Sequence, residues 1–113
     1  MSALEEITKL FKKLNIPAQT TEFTSRPIDE YAVFTPISDT FDVFSDDMPN
    51  VEINSIRVTL FTKGNYILLV KKISAELLGK GFTITDRRFV NREIDTGYNH
   101  YAIDCEKFYL LEE

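Results

Sequence analysis

An α+β fold is what this sequence predicts: a small, mainly antiparallel sheet packed against two helices, in the order helix, strand, strand, helix, strand, strand. Three observations carry that reading. Two segments, 2–14 and 66–79, repeat apolar residues at helical spacing. Four others have the alternating, β-branched and aromatic composition of strands. Neighbouring strands are joined by loops, which suggests antiparallel pairing. At 113 residues the chain is a single domain, 1–113, with room for one modest core.

Each element follows from its residues. Ser2 with Glu5 fits a capping box, and Leu4, Ile7, Leu10, Phe11 and Leu14 share one helical face. Glu5 and Glu6 near the start and Lys12 and Lys13 near the end match the helix dipole, and Asn15 with Pro17 stops the helix. Residues 18–29 are polar, contain Pro27 and read as a connection. YAVFTPI, 31–37, reads as a strand with Tyr31, Val33 and Ile37 on one face, and Pro36 implies an edge or a strand end. SDTFDVFSDDMPN, 38–50, reads as a long irregular loop with room for a short extra strand.

Residues 51–63 form the longest strand. Val51 and Ile53 share one parity and Ile56, Val58 and Leu60 the other, so a bulge is expected near Asn54-Ser55. Gly64 ends that strand and Asn65 is an N-cap for a helix over 66–79, with Ile67, Val70, Ile73, Leu77 and Leu78 inward. Gly79 and Gly81 close it. A strand over 81–89, a turn at 95–99 centred on Gly97 and a final strand over 100–111 follow, with Tyr101, Ile103, Cys105, Tyr109 and Leu111 on one side and Asp104 and Glu106 facing water.

Composition narrows the class. No apolar run approaches the roughly 20 residues of a membrane span. The N-terminal MSALEEITKLFKK lacks a signal-peptide pattern, which points to a cytosol. The single cysteine, Cys105, falls in a strand pattern and reads as a buried, inert thiol. A net charge of −5 argues against a nucleic-acid binder, which needs clustered Lys and Arg.

The chemical inventory predicts no enzyme, no cofactor and no metal site. His100 starts a strand beside a turn, with no Ser or Cys nucleophile near it in sequence, and reads as a surface histidine. There is no GxGxxG, P-loop or paired-Cys pattern, and Gly64 reads as a turn residue rather than an anion cradle. Asp39, Asp42, Asp46 and Asp47 offer oxygens to a hard cation, but their spacing is not that of an EF-hand and no Gly supplies its turn. A general acid–base pair would need burial to split its pKa values. Instead Phe41, Val43, Phe44 and Met48 interleave with the acids. Such apolar area is buried either against the chain's own core or on a neighbouring subunit. Asp39, Phe41, Asp42, Phe44, Asp46, Asp47 and Met48 are therefore candidate interface or lumen residues. Arg87, Arg88 and Arg92 are a candidate basic counterpart. Acid on one copy against base on the next is a head-to-tail contact, which closes into a ring when the rotation permits.

FSDDMPNVE, the strand exit FTKGNY, GFTITDRRF and DTGYNHYAI, in that order and spacing, resemble the small tail-terminator, or tail completion, proteins of long-tailed phages and prophages of Gram-positive bacteria. The most family-like pieces are Asp46, Asp47 and Pro49, then Phe61-Thr62-Lys63-Gly64-Asn65-Tyr66, then Asp95-Thr96-Gly97-Tyr98. The resemblance implies a non-enzymatic virion protein, assembled in the host cytoplasm. It implies a ring, commonly hexameric, that caps the head-proximal end of the tail tube, halts its growth and presents the surface that joins the head. Its partners would be itself, the tail tube protein and a head completion or connector protein, with DNA passing through unbound. A ring that forms only on the tube would leave the free chain a monomer. Six copies at −5 each would carry about −30, and acids of the 38–50 segment facing the lumen would repel passing phosphate. Two other readings stand beside this one: a soluble adaptor or inhibitor that grips a host protein through the acidic, aromatic 38–50 loop, and a small metal-dependent or hydrolytic enzyme.

Overall fold

Ser2 opens helix α1, Ala3–Lys13, by accepting the Glu5 backbone N–H on its hydroxyl at 3.3 Å. The computed structural model describes residues 2–20, 29–42 and 51–110. After α1 come β1 (Ala18–Thr20), β2 (Glu30–Asp42), β3 (Val51–Thr62), α2 (Tyr66–Gly79), β4 (Thr83–Arg92) and β5 (Asn99–Leu110). The strands form one mixed sheet of five, ordered β1-β2-β3-β5-β4, and both helices pack on one face of it.

That face is the main core. Ile7, Leu10 and Phe11 of α1 and Leu69, Val70, Ile73 and Leu77 of α2 meet Ala32, Phe34, Ile56, Val58, Leu60, Ile103 and Cys105 of the sheet. Phe11 meets Phe34 edge-on at 5.0 Å between centroids. Ile73 and Leu77 are wholly buried, so trimming either to Ala would cost about 2–5 kcal/mol. Asn15, in the left-handed region at φ 59°, ends α1, and the Ile16 N–H closes back onto Phe11 O at 3.0 Å.

Several expectations need correction. The stretch 18–29 is not all connection: Ala18–Thr20 pairs in parallel with Ala32–Phe34, which makes the sheet mixed and five-stranded. Three residues are too few to show a period. The 38–50 stretch is not irregular at its start, because Ser38–Asp42 continues β2 against Val51–Ser55. Pro36 does not end the strand. Past Phe34 only β3 pairs with β2 among the described residues, so the proline lies on an open edge, where its missing N–H is tolerated.

The bulge expected in the 51–63 strand lies across from it. β3 pairs with β5 without interruption from Val51–Leu110 to Thr62–Asn99, and the shift falls in β2 between Pro36 and Ser38. The apolar parity of β3 breaks because a polar residue, Asn54, takes a buried position in line with Ile56, Val58 and Leu60. In α2 the buried side is Leu69, Val70, Ile73, Ser74 and Leu77, whereas Ile67 and Leu78, expected inward, are exposed. The helix is apolar around most of its girth, so periodicity alone did not settle its rotation.

The side of the sheet away from the helices holds a second, smaller core at one end. Tyr31 stacks on Phe61 at 4.5 Å and meets Tyr98 edge-on at 5.3 Å, with Val33 beside them. Gly97, at φ +79°, supplies the turn that brings Tyr98 over this face.

Candidate functional site

The acidic candidates divide at Asp42. Asp39, Phe41 and Asp42 lie in β2, while Phe44, Asp46, Asp47 and Met48 lie outside the described residues. Asp39 has a definite task. Its Oδ1 accepts Asn54 Nδ2 at 2.9 Å, and Asn54 Oδ1 accepts the buried Ala3 N–H at 3.1 Å. The acid thus orients an amide that caps α1 from the sheet, a partner for one of the helix's unpaired N-terminal N–H groups. Phe41, by contrast, is 60% exposed.

The three arginines do not form one patch. Arg87 pairs with Ile103 and points to the helix side, where its Nη1 donates to Ser74 Oγ at 3.3 Å. Arg88 is on the opposite side, where its Nη1 donates to Asp86 and, at 3.3 Å, to Asp104. Arg57 of β3 clasps the same Asp104 with two bonds, 2.8 and 3.2 Å. The two guanidinium groups hold the Asp104 carboxyl below its usual range, Arg57 most strongly, against the upward push of burial. Arg92 ends β4 opposite Asn99. Arg87 and Arg88 are therefore both engaged within their own chain, on opposite faces of β4.

This cross-strand lattice was missed by sequence reasoning, and so was the tie between α1 and β5. Lys107 Nζ donates to Glu6 Oε1 at 2.8 Å and to Lys80 O at 2.7 Å, and Tyr109 donates its hydroxyl to Glu6 Oε2. Burial pushes the Glu6 carboxyl up, but the bonds from Lys107 and Tyr109 outweigh it and hold it below its usual value. Both clusters depend on strand register, which single-sequence patterning does not carry.

His100 is not the surface residue expected. Its ring meets Phe61 at 4.3 Å, and Nε2 lies 3.2 Å from Glu93 Oε2 without the alignment of a hydrogen bond. The contact becomes an ion pair only when the imidazole is protonated. Among the described residues no three His, Cys, Asp or Glu gather as metal ligands would. Gly64 donates its N–H to Thr62 Oγ1 at 3.1 Å, and Asn65 Oδ1 accepts from Ile67 and Leu68.

What the surface does offer is apolar area on strands. Phe108 and Leu110 of β5 pair with Ile53 and Val51 on the side away from the helices, and both are largely exposed. Ile37 and Phe41 on β2 past Phe34, and Phe89 and Val90 on β4, are exposed on stretches whose outer side no strand covers among the described residues. Large apolar groups in such number on strands mark contact surfaces. No protein-family model matches this chain, and no curated protein matches it.

Proposed function

We propose that this chain is a non-enzymatic virion component that acts by self-assembly: a ring, hexameric by resemblance, capping the head-proximal end of a phage tail tube and joining it to the head. One observation carries the assembly part. Among the described residues, the two uncovered strand stretches, β2 past Phe34 and β4, bear large exposed apolar side chains, Ile37 and Phe41 on one and Phe89 and Val90 on the other. An edge strand left free and apolar invites association, and natural proteins retain such edges where a partner covers them. The combination of Asp46-Asp47-Met48-Pro49, Phe61–Tyr66 and Asp95–Tyr98 supports the tail-terminator part. The tail tube protein and a head connector are its partners on the two faces of the ring. The net charge of −5 per copy keeps DNA passing through such a ring from sticking to its wall.

The test is electron microscopy of phage particles made without this chain. Tails of uncontrolled length, or full heads and tails that never join, are the expected result. Virions of normal length and normal joining would end the reading.

A further inference from the structure

We propose that copies of this chain join by strand addition: β4 of one protomer pairs antiparallel with the open edge of β2 in the next, and the two sheets run on as one. This rests on the self-assembly proposed above. Among the described residues β4 pairs with β5 alone, and β2 beyond Phe34 with β3 alone. Each is an unpaired edge, a template for another strand. Bulges narrow where addition can occur. The irregularity at Ile37 leaves Ser38–Asp42 regular, and those at Thr85 and Val90 leave Asp86–Phe89 regular, with Asn91 and Arg92 beyond.

Direction and face then select a register. β2 and β4 are separated by three antiparallel steps, so they run oppositely within one protomer. A copy repeated along the sheet with its helices on the same side therefore meets its neighbour antiparallel. Phe41, in line with Glu52 and Tyr109, and Phe89, in line with Tyr101 and Leu60, both belong to the helix side. Setting Phe89 opposite Phe41 and continuing past the Val90 bulge sets Arg92 opposite Asp39 on the same side. On the other side it sets Asn91 opposite Thr40. Aromatic meets aromatic and unlike charges meet, the cross-strand pairs that stabilise sheets. Sliding two residues one way sets Asp86 opposite Asp42. Sliding the other way carries Phe89 past the end of β2 and sets Arg92 opposite Phe41. A one-residue slip turns every side chain to the wrong face. Charge agrees with direction: β4 carries three arginines and one aspartate, and the open stretch 35–42 carries two aspartates and no base.

The test is equilibrium sedimentation of the full chain beside Phe89→Lys and Phe41→Lys. Phe89 is 45% exposed and Phe41 60% in the single protomer, so both variants should keep the parent's circular dichroism, and the urea midpoint the parent shows when diluted to its monomer. The parent should form oligomers. Each variant alone should be monomeric, its association weakened about 30-fold or more, as for loss of a central aromatic anchor. Mixed in equal amounts, the two should form a two-chain species and nothing larger, because each keeps the one edge the other needs. Phe89→Cys mixed with Phe41→Cys should give a disulfide-linked dimer on mild oxidation, and neither should link alone, since opposed strand positions have the Cα spacing a disulfide needs. A parent that stays monomeric up to about 1 mM, the weak end of specific association, would overturn the proposal. So would a variant that associates like the parent, a mixture that forms no dimer, or a Phe89→Cys chain that links to itself. Normal virions made without the chain would sink the tail-terminator reading and leave these results intact, so the two failures are distinguishable.

Discussion

Replacing Asn54 by Ala should remove the joint between the sheet and the start of α1. Asn54 is 7% exposed, on the helix side of β3. Its Oδ1 takes the Ala3 N–H at 3.1 Å and its Nδ2 gives to Asp39 at 2.9 Å. Ala3 is wholly buried, so the truncation strands a backbone donor away from water, at about 1–3 kcal/mol. The bond to Asp39, an exposed residue, adds at most about 1 kcal/mol, because water replaces the lost donor. A loss of about 2–3 kcal/mol is expected. In urea at neutral pH, with a slope of about 1–1.5 kcal/mol per molar, the midpoint should fall by roughly 2 M with the slope unchanged. Asn54→Asp separates the two bonds. It keeps an acceptor for Ala3 and suits the helix N-terminus, but it sets a second carboxylate against Asp39. Its deficit should therefore shrink as the pH is lowered toward the carboxylate range. A fall of less than about 0.5 kcal/mol for Asn54→Ala would refute the view that Asn54 is buried in order to cap α1.

Acid should act through Asp104. Its folded pKa is depressed, so its stabilisation is complete above the unfolded value of about 3.9 and is lost as pH falls through the lower folded one. Asp104→Asn should lose stability at pH 7 and flatten the decline below about pH 4 in acid unfolding followed by circular dichroism; an unaltered acid limb would count against the Arg57–Asp104–Arg88 lattice. Burial, aided by the charges of Asp104 and Glu106, pushes the Cys105 thiol up to about 12, and its Sγ lies 3.6 Å from Ile56 O. The native chain should resist a disulfide reagent at pH 8 and react at once in denaturant, whereas rapid native labelling would contradict this burial. Lys107→Ala should cost about 2 kcal/mol, since it removes charge-assisted bonds to Glu6 and to the end of α2, as read from urea midpoints; a neutral change would mean that α1 and β5 are held together by apolar packing alone.

Much of the fold was legible because local chemistry decides it. Ser2, Asn65 and Gly97 act where the sequence placed them: an N-cap, an N-cap and a turn. The alternation Ile56-Val58-Leu60 identified the buried side of β3. What was not legible depends on partners distant in sequence. β1 is a strand only because Ala32–Phe34 lies beside it. Ser38–Asp42 is polar and reads as loop, yet it is held by pairing with β3. The arginines at 87 and 88 look like one basic patch in sequence, but adjacent strand residues face opposite ways, and Arg88 is drawn to Asp86 and Asp104. The candidate site was legible as a mixture of aromatic and acid, and not as an edge, because edges exist only once strand order is known.

The distribution of polar work across the sheet bears on which apolar groups its edge strands leave exposed. Charges near the middle of the sheet's outer face are consumed internally, with Arg57, Arg88, Asp86 and Asp104 neutralising one another. Near the other end Glu6, Lys107 and Tyr109 are consumed in fastening α1. These groups rigidify the protomer and offer little to a partner, since each would have to give up a bond to make one. On the strands, the exposed groups without such internal work include Phe41 and Ile37 on β2, Phe89 and Val90 on β4, and Phe108 and Leu110 on the outer face, beside Ile67, Leu68 and Leu78 on α2 and Ile94 after β4. A strand edge meant to remain free is usually blunted with charge, proline or bulges, or kept short. Here β4 carries charge and two bulges yet runs ten residues, and its exposed Phe89 meets Tyr66 at a tilt with 5.2 Å between ring centroids. In the strand addition proposed above these exposed residues would be covered, and the bulges at Thr85 and Val90 would narrow the stretch of β4 that a neighbour can pair with.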